Sequence, residues 1–264
     1  MNFRLISWNI NGIRSAEQKG FWTLMHQLQP NVVCLQEIRG HLQNTNLIQN
    51  QLPHFVGGLS AKNGLHGVGI LSNTNGKQLI WDNPHLQTSG RCIGIDLHGI
   101  HIWSVYAPTL NQHSTKHCLL FWESLLKQMK QWIDRPTIIC GDLNLIATTN
   151  DIHSSLIRHH KKLLPMQQRI FQEIFQQGWV DTWRMCHPNT EGFSFWSRTS
   201  PRVRPENRGM RLDYVLCSNH LKSSVQKASI GTPRLGVSDH APVIIDFTLP
   251  KNLSTTQHLK IQKR

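Results

Sequence analysis

Acidic residues are scarce in this sequence: 15 Asp plus Glu stand against 28 Lys plus Arg in 264 residues, a formal net charge of +13. That imbalance points to a polyanionic partner, with association that weakens as salt rises. Long apolar runs are missing too. No stretch approaches the roughly 18 apolar residues of a spanning helix, and none sets a Lys-rich face against bulky apolar residues, so a membrane partner is not expected. Met1 to Arg4 lead straight into strand-like sequence with no signal-peptide pattern, and a cytoplasmic protein is expected. Neither CxxC nor HExxH occurs. The six cysteines, at 34, 92, 118, 140, 186 and 217, are read as reduced thiols rather than as disulfides or a zinc site. No Pro, Gly or Ser linker divides the chain, which reads as a monomeric single domain over residues 1–250 with a polar, basic tail at 251–264.

What is present is a series of short apolar runs. Strands are expected at 3–8, 31–36, 67–71, 91–96, 100–106, 136–140, 212–217 and 241–248. Helical spacing appears at 16–28 (Phe21, Leu24, Met25, Leu28), at 117–133 (Leu120, Phe121, Leu125, Met129, Trp132) and at 166–177 after Pro165. Many strands with a few helices predict a layered α/β fold whose helices cover two sheets packed together. Residues 141–164 and 197–211 fit no regular element. The second, with five Arg and two Pro, reads as a surface loop.

The few carboxylates fall where the apolar runs end. Glu37 closes Val32 to Gln36; Gly141-Asp142-Leu143-Asn144 follows Pro136 to Cys140; Asp213-Tyr214 precedes Val215-Leu216; Ser238-Asp239-His240 precedes Ala241 to Phe247. Side chains leaving the ends of buried strands line one rim of a sheet. Carboxylates gathered there beside Asn9, Asn144 and His240 offer oxygen donors for a hard cation and a group that moves protons, the requirements of metal-assisted phosphate-ester hydrolysis. A His held by a carboxylate keeps one tautomer and exchanges a proton near neutral pH, which links His240 to Asp213. Asp181 and Asp246 lie outside these clusters and are read as structural.

Eight motifs in order span residues 3 to 248. They are Trp8-Asn9-Ile10-Asn11-Gly12-Ile13-Arg14, Leu35-Gln36-Glu37, Gly67-Val68-Gly69-Ile70, Val105-Tyr106-Ala107-Pro108, Gly141-Asp142-Leu143-Asn144, Phe193-Ser194-Phe195-Trp196, Arg211-Leu212-Asp213-Tyr214 and Ser238-Asp239-His240-Ala241-Pro242. Together they resemble the exonuclease III type of abasic-site endonuclease, in the endonuclease/exonuclease/phosphatase superfamily. The resemblance implies an α/β (α+β) fold, a four-layered α/β sandwich of two packed mixed β-sheets flanked by helices. It implies a Mg²⁺- or Mn²⁺-dependent DNA repair nuclease that cuts duplex DNA 5' to abasic sites, with 3'-to-5' exonuclease and trimming of 3'-blocked ends as companion activities. Glu37 would bind the metal with Asn9 and Asp239. Asp142 would orient or deprotonate the attacking water, Asn144 and Tyr106 would hold phosphate oxygens, and His240, oriented by Asp213, would stabilise phosphoryl charge.

Specificity would come from the basic segments and an apolar slot. Lys62, the basic run Arg158 to Lys162, and Arg208 and Arg211 of the Arg-rich loop would grip phosphates, Asn11 would contact DNA, and Phe195, Trp196, Met210 and Leu212 would receive the flipped-out baseless sugar, which unstacks at least cost. Two positions depart from the family: Ile38 stands where Thr is usual and Thr109 where Asn is common. Two other readings remain, a superfamily phosphodiesterase acting on RNA or a phosphorylated small molecule, and a DNA-binding protein that has lost catalysis.

Overall fold

The apolar runs become strands because both faces of each are covered, as in sheets buried on two sides. The computed structural model describes residues 2–40, 52–58, 66–81, 89–110, 115–232 and 236–249; Lys62 and the 251–264 tail lie outside them. In chain order the strands are β1 (Asn2–Asn9), β2 (Val32–Gln36), β3 (His54–Gly58), β4 (Val68–Ser72), β5 (Lys77–Leu79), β6 (Cys92–Leu97), β7 (Ile100–Tyr106), β8 (Thr137–Asp142), β9 (Val180–Asp181), β10 (Asp213–Cys217), β11 (Val225–Ile230) and β12 (Val243–Thr248). The helices are α1 (Ile13–Gln18), α2 (Phe21–Leu28), α3 (Thr115–Trp132), α4 (Ser154–His160), α5 (Leu164–Gln176), α6 (Thr182–Cys186) and α7 (Asn219–Lys222).

Two mixed six-stranded sheets result, ordered β11-β12-β1-β2-β4-β3 and β5-β6-β7-β8-β10-β9. Phe3, Leu5, Cys34, Ile70 and Ile245 of the first sheet meet Ile95, Ile102, Ile138, Cys140 and Val215 of the second in one apolar seam. The outer face of the first sheet, with Ile6, Trp8, Val33 and Leu35, packs on Ile13, Ala16, Phe21 and Met25 of α1 and α2. Beyond the second sheet, Trp103, Val105, Ile139 and Leu216 pack on Phe121, Trp122, Leu125 and Met129 of α3 and on Ile170, Phe171 and Ile174 of α5. The order helix, sheet, sheet, helix is the four-layered sandwich.

All eight expected strands form. The four not anticipated, β3, β5, β9 and β11, are the outer strands of the two sheets. An outer strand is flanked on one side alone, so it needs no continuous apolar run: β5 reads Lys-Gln-Leu and β11 Val-Gln-Lys-Ala-Ser-Ile. The helix expected at 16–28 is two helices, because Gly20 adopts φ 90° and breaks the turn. Residues 141–164, expected to be irregular, contain a 3₁₀ turn at Thr149–Asp151 and α4, which buries none of its side chains fully and therefore carries no apolar period.

Topology brings the polar clusters to one rim. β1 and β2 are parallel, as are β7 and β8, so Asn9, Gln36, Tyr106 and Asp142 end their strands at the same edge. β10 runs antiparallel to β8 with Asp213 opposite Asp142, and β12 runs antiparallel to β1, so both begin where the others end. Gly141 lets β8 approach β7 there: its φ is 145°, and a Cβ would lie 1.8 Å from the Val105 carbonyl oxygen. Gly141→Ala should cost about 3 kcal/mol from overpacking and backbone strain. Urea denaturation checks this, and a loss below about 0.5 kcal/mol, the range of an inconsequential surface change, would show that the close approach is dispensable.

Candidate active site

The site is assembled across the seam between the sheets. Asn9 ends β1, and its Nδ2 donates to Glu37 Oε1 at 3.0 Å and to Asp142 Oδ2, on the other sheet, at 2.9 Å. His240, just before β12, places Nδ1 2.8 Å from Asp213 Oδ2 and Nε2 3.8 Å from Asp142 Oδ2. One histidine of the first sheet thus lies between two aspartates of the second. Its backbone is held as firmly, since Trp8 Nε1 donates to the His240 carbonyl at 3.0 Å and the His240 N–H donates to Ser238 Oγ at 3.2 Å. The rings of Phe195 and His240 lie 4.8 Å apart.

Ser194, which the sequence did not single out for a role, orients the orienter. Its hydroxyl donates to Asp213 Oδ2 at 2.6 Å and accepts from the N–H groups of Leu212 and Asp213 at 3.0 Å each. Sitting between Phe193 and Phe195, it offered one signal, a small polar residue among aromatics. On the opposite side of the cleft, the Asn144 N–H donates to Asp142 Oδ1 at 3.1 Å and its Nδ2 donates to the Ala107 carbonyl at 2.9 Å. Tyr106 is covered by the Arg91 guanidinium, 4.9 Å from its ring centre. Asn11, Glu37 and Asn144 adopt φ of 50°, 51° and 51°, a left-handed geometry uncommon outside glycine that concentrates at functional sites.

Electrostatics follow from burial. Desolvation pushes the Asp142 carboxyl up to about 7, with Asp213 and Glu37 adding to the rise while His240 and Asn9 oppose it. Burial alone would lower the His240 imidazole, but Asp213, Asp142 and Asp239 outweigh it and raise the ring to about 10. Burial also raises the Tyr106 phenol, assisted by the negative Glu37 and Asp142, so it remains a neutral hydrogen-bond donor. At neutral pH the rim holds an imidazolium facing a carboxyl poised to exchange a proton.

A pocket of about 440 Å³ opens over these groups. Glu37, Tyr106, Asp142, Asn144, Asp239 and His240 line its polar side; Ile146, Leu163, Phe195, Met210 and Leu212 line its apolar side. Arg39, His159 and His160 also reach it. His159 and His160 belong to the basic run expected to grip phosphates, whereas Arg39 offered no signal beyond proximity to Glu37.

Two expectations for DNA contact change. Arg211 is 1% exposed and its guanidinium is bound to Asp151 and Asp181, so it is no phosphate contact. Trp196 is 2% exposed; it packs with Phe193, Val203 and Ala241 and donates Nε1 to Asn207. Arg208, expected to grip phosphate, is surface-accessible, pairs with Glu206 at 3.0 Å and lies outside the pocket lining, a position that leaves it open to a backbone phosphate. The loop before Arg211 reaches the site elsewhere: Arg198 pairs with Asp239 at 3.3 Å, and Arg204 donates to the Ser238 carbonyl.

Carboxylate and amide oxygens make a donor set suited to a hard cation. Glu37 presents Oε2 to Arg39, and Asp239 presents Oδ2 to Arg198, so each carboxylate has an oxygen turned toward positive charge. Asp142, Asp213 and His240 offer a second group of ligand atoms within 4.8 Å of one another. The His240–Asp213 hydrogen bond and the Ser194 hydroxyl already occupy much of that trio.

The model of the Endonuclease/Exonuclease/phosphatase family matches residues 6–240. An exodeoxyribonuclease of Bacillus subtilis is 30% identical over 250 residues, covering 91% of this chain and 97% of that protein. A DNA-(apurinic or apyrimidinic site) endonuclease of Dictyostelium discoideum is 27% identical over 262 residues, covering 92% and 71%. Among solved structures, an AP endonuclease from Archaeoglobus fulgidus superposes with a TM-score of 0.82 at 22% identity, covering 94% of this chain and all of that one. A 3' phosphatase from Neisseria bound to a product DNA hairpin gives the same TM-score and coverage at 19% identity. With the sandwich, the rim and the family model in agreement, this chain belongs to the Endonuclease/Exonuclease/phosphatase family.

Proposed function

We propose that the protein is a DNA repair nuclease that hydrolyses the phosphodiester 5' to an abasic site in duplex DNA, leaving a 3'-hydroxyl. The supporting observation is the His240 ring held between Asp213 and Asp142 at the edge of a pocket with one polar and one apolar wall. The net charge of +13 suits a polyanionic substrate. The relatives named for DNA cleavage support the same choice.

Asp142, with its carboxyl near 7, takes a proton from the attacking water as the new oxygen–phosphorus bond forms. The bond from phosphorus to the 3'-oxygen breaks on the opposite side. The His240 imidazolium, kept charged and aimed by Asp213, stabilises the negative charge gathering on the phosphoryl oxygens. The neutral Tyr106 hydroxyl and Asn144 hold the phosphate. Glu37, Asp239 and Asn9 would bind Mg²⁺ or Mn²⁺, which supplies Lewis acidity toward the phosphate and the departing oxygen. Phe195, Met210 and Leu212 form an apolar wall for a sugar without a base.

A labelled duplex bearing one tetrahydrofuran abasic analogue tests the reading. The expected result is a single nick on its 5' side, present with Mg²⁺, absent with EDTA and absent in an intact duplex. Degradation of both duplexes from the 3' end would make the protein chiefly an exonuclease, and no cleavage would refute the nuclease reading. Asp142→Asn and His240→Ala should each lower turnover by about 10³-fold or more while DNA affinity stays within a few-fold of wild type. Near wild-type rates in either variant would remove that residue from the mechanism.

A further inference from the structure

Arg211 is fully buried, touches neither pocket nor solvent, and still stands one residue from a pocket wall and two from the aspartate that holds His240. Its Nε donates to Asp151 Oδ1 at 2.7 Å, and its Nη2 lies 2.7 Å from Asp181 Oδ2 as an ion pair outside hydrogen-bonding geometry. Arg184 pairs with the same Asp151 oxygen, so two aspartates and two arginines balance in the interior. The guanidinium lies 5.1 Å from the Trp183 ring centre and 4.3 Å from that of Tyr214.

Asp151 belongs to the loop that follows the β8 aspartate, whereas Asp181 ends β9 and Arg184 lies in α6. The Arg211 N–H donates to the Asp151 carbonyl at 2.7 Å, the His153 N–H to the Gly209 carbonyl at 3.0 Å, and the Leu143 N–H to the Leu212 carbonyl at 2.9 Å. Asp151 is fixed in turn, its Oδ2 accepting from the Thr148 N–H and hydroxyl at 2.9 Å each. Tyr214 adds a second clasp: its hydroxyl faces the carbonyls of Leu145 and Arg211 at 3.0 Å and accepts from the Ala147 N–H at 3.2 Å. Residues 209–214 and 143–153 are therefore joined at both ends of a span containing Asn144, Ile146, Met210, Leu212 and Asp213.

We propose that Arg211 is a positioning residue for the reaction: its ion-pair cluster with Asp151 and Asp181 holds the Met210–Asp213 segment in register against the loop carrying Asn144. A buried ion pair is a poor source of net stability, because desolvation offsets its attraction, whereas the rigid fork of a guanidinium fixes two carboxylates in one geometry. Displacement of a reacting group by about 1 Å costs on the order of 10²-fold in rate. The effect on rate is therefore larger than the effect on folding alone accounts for. This inference rests on the nuclease reading.

The test compares Arg211→Lys, which keeps the charge but loses the fork, with Leu125→Ala, which opens a cavity under α3 in the core on the far side of the second sheet. Both are assayed on the abasic duplex at temperatures where circular dichroism shows each folded. Arg211→Lys should lower kcat per folded molecule by about 10- to 100-fold with KM within a few-fold of wild type, while Leu125→Ala keeps the wild-type kcat. Asp181→Asn, which leaves the Asp151 arm in place, should lower kcat less than Arg211→Lys, and it stands in if Arg211→Lys does not fold. Equal kcat per folded molecule for wild type and the cluster variant would overturn the proposal, as would a loss matched by Leu125→Ala. A wild-type protein that leaves the duplex intact would instead reject the nuclease reading beneath it.

Discussion

His240 keeps its charge inside the protein because Asp213 and Asp142 face it from the other sheet, so the two sheets must meet in fixed register at this rim. Charge in a low-dielectric interior is costly unless partnered. The seam below supplies the register through interlocked apolar side chains of both sheets. Polar contacts extend it to the rim: Gln36 Nε2 reaches Ser104 Oγ at 3.0 Å, and Asn9 reaches Asp142 at 2.9 Å. The strained backbone at Asn11, Glu37 and Asn144 persists because these contacts determine it from several sides.

The same arrangement divides the work of the site. A buried carboxyl near 7 and a buried imidazolium near 10 can lie side by side because their surroundings differ. Asp142 is raised first by desolvation and by neighbouring carboxylates, whereas His240 is raised by the carboxylates against its desolvation. Nearer solvent, Glu37 and Asp239 each face an arginine, Arg39 and Arg198. Those arginines offset the negative charge of the two carboxylates at that edge of the pocket.

Much of this was legible in the sequence where a polar residue interrupted an apolar run. Glu37, Asp142, Asp213 and His240 were visible because buried strands are continuous in apolar residues and their ends are not. The outer strands were invisible for the converse reason, and α4 was missed because it buries no residue fully and packs only Leu156 and Ile157 in part. Charge by itself misled. Arg211 sits in a basic stretch, yet its partner Asp151 lies 60 residues away, and no local pattern distinguishes a phosphate-gripping arginine from one neutralised in the interior. Trp196 shows the same limit, since an aromatic beside a site residue can face the core.

The charge state of His240 is the most direct test of the account. In metal-free protein, ¹⁵N-edited nuclear magnetic resonance should show its imidazole doubly protonated at pH 7 and losing its proton only near pH 10, and Asp213→Asn should return the transition toward the ordinary histidine range of about 6.5. A neutral ring at pH 7, or a transition that Asp213→Asn leaves in place, would contradict the claim that carboxylates of the opposite sheet hold a charged histidine at the rim.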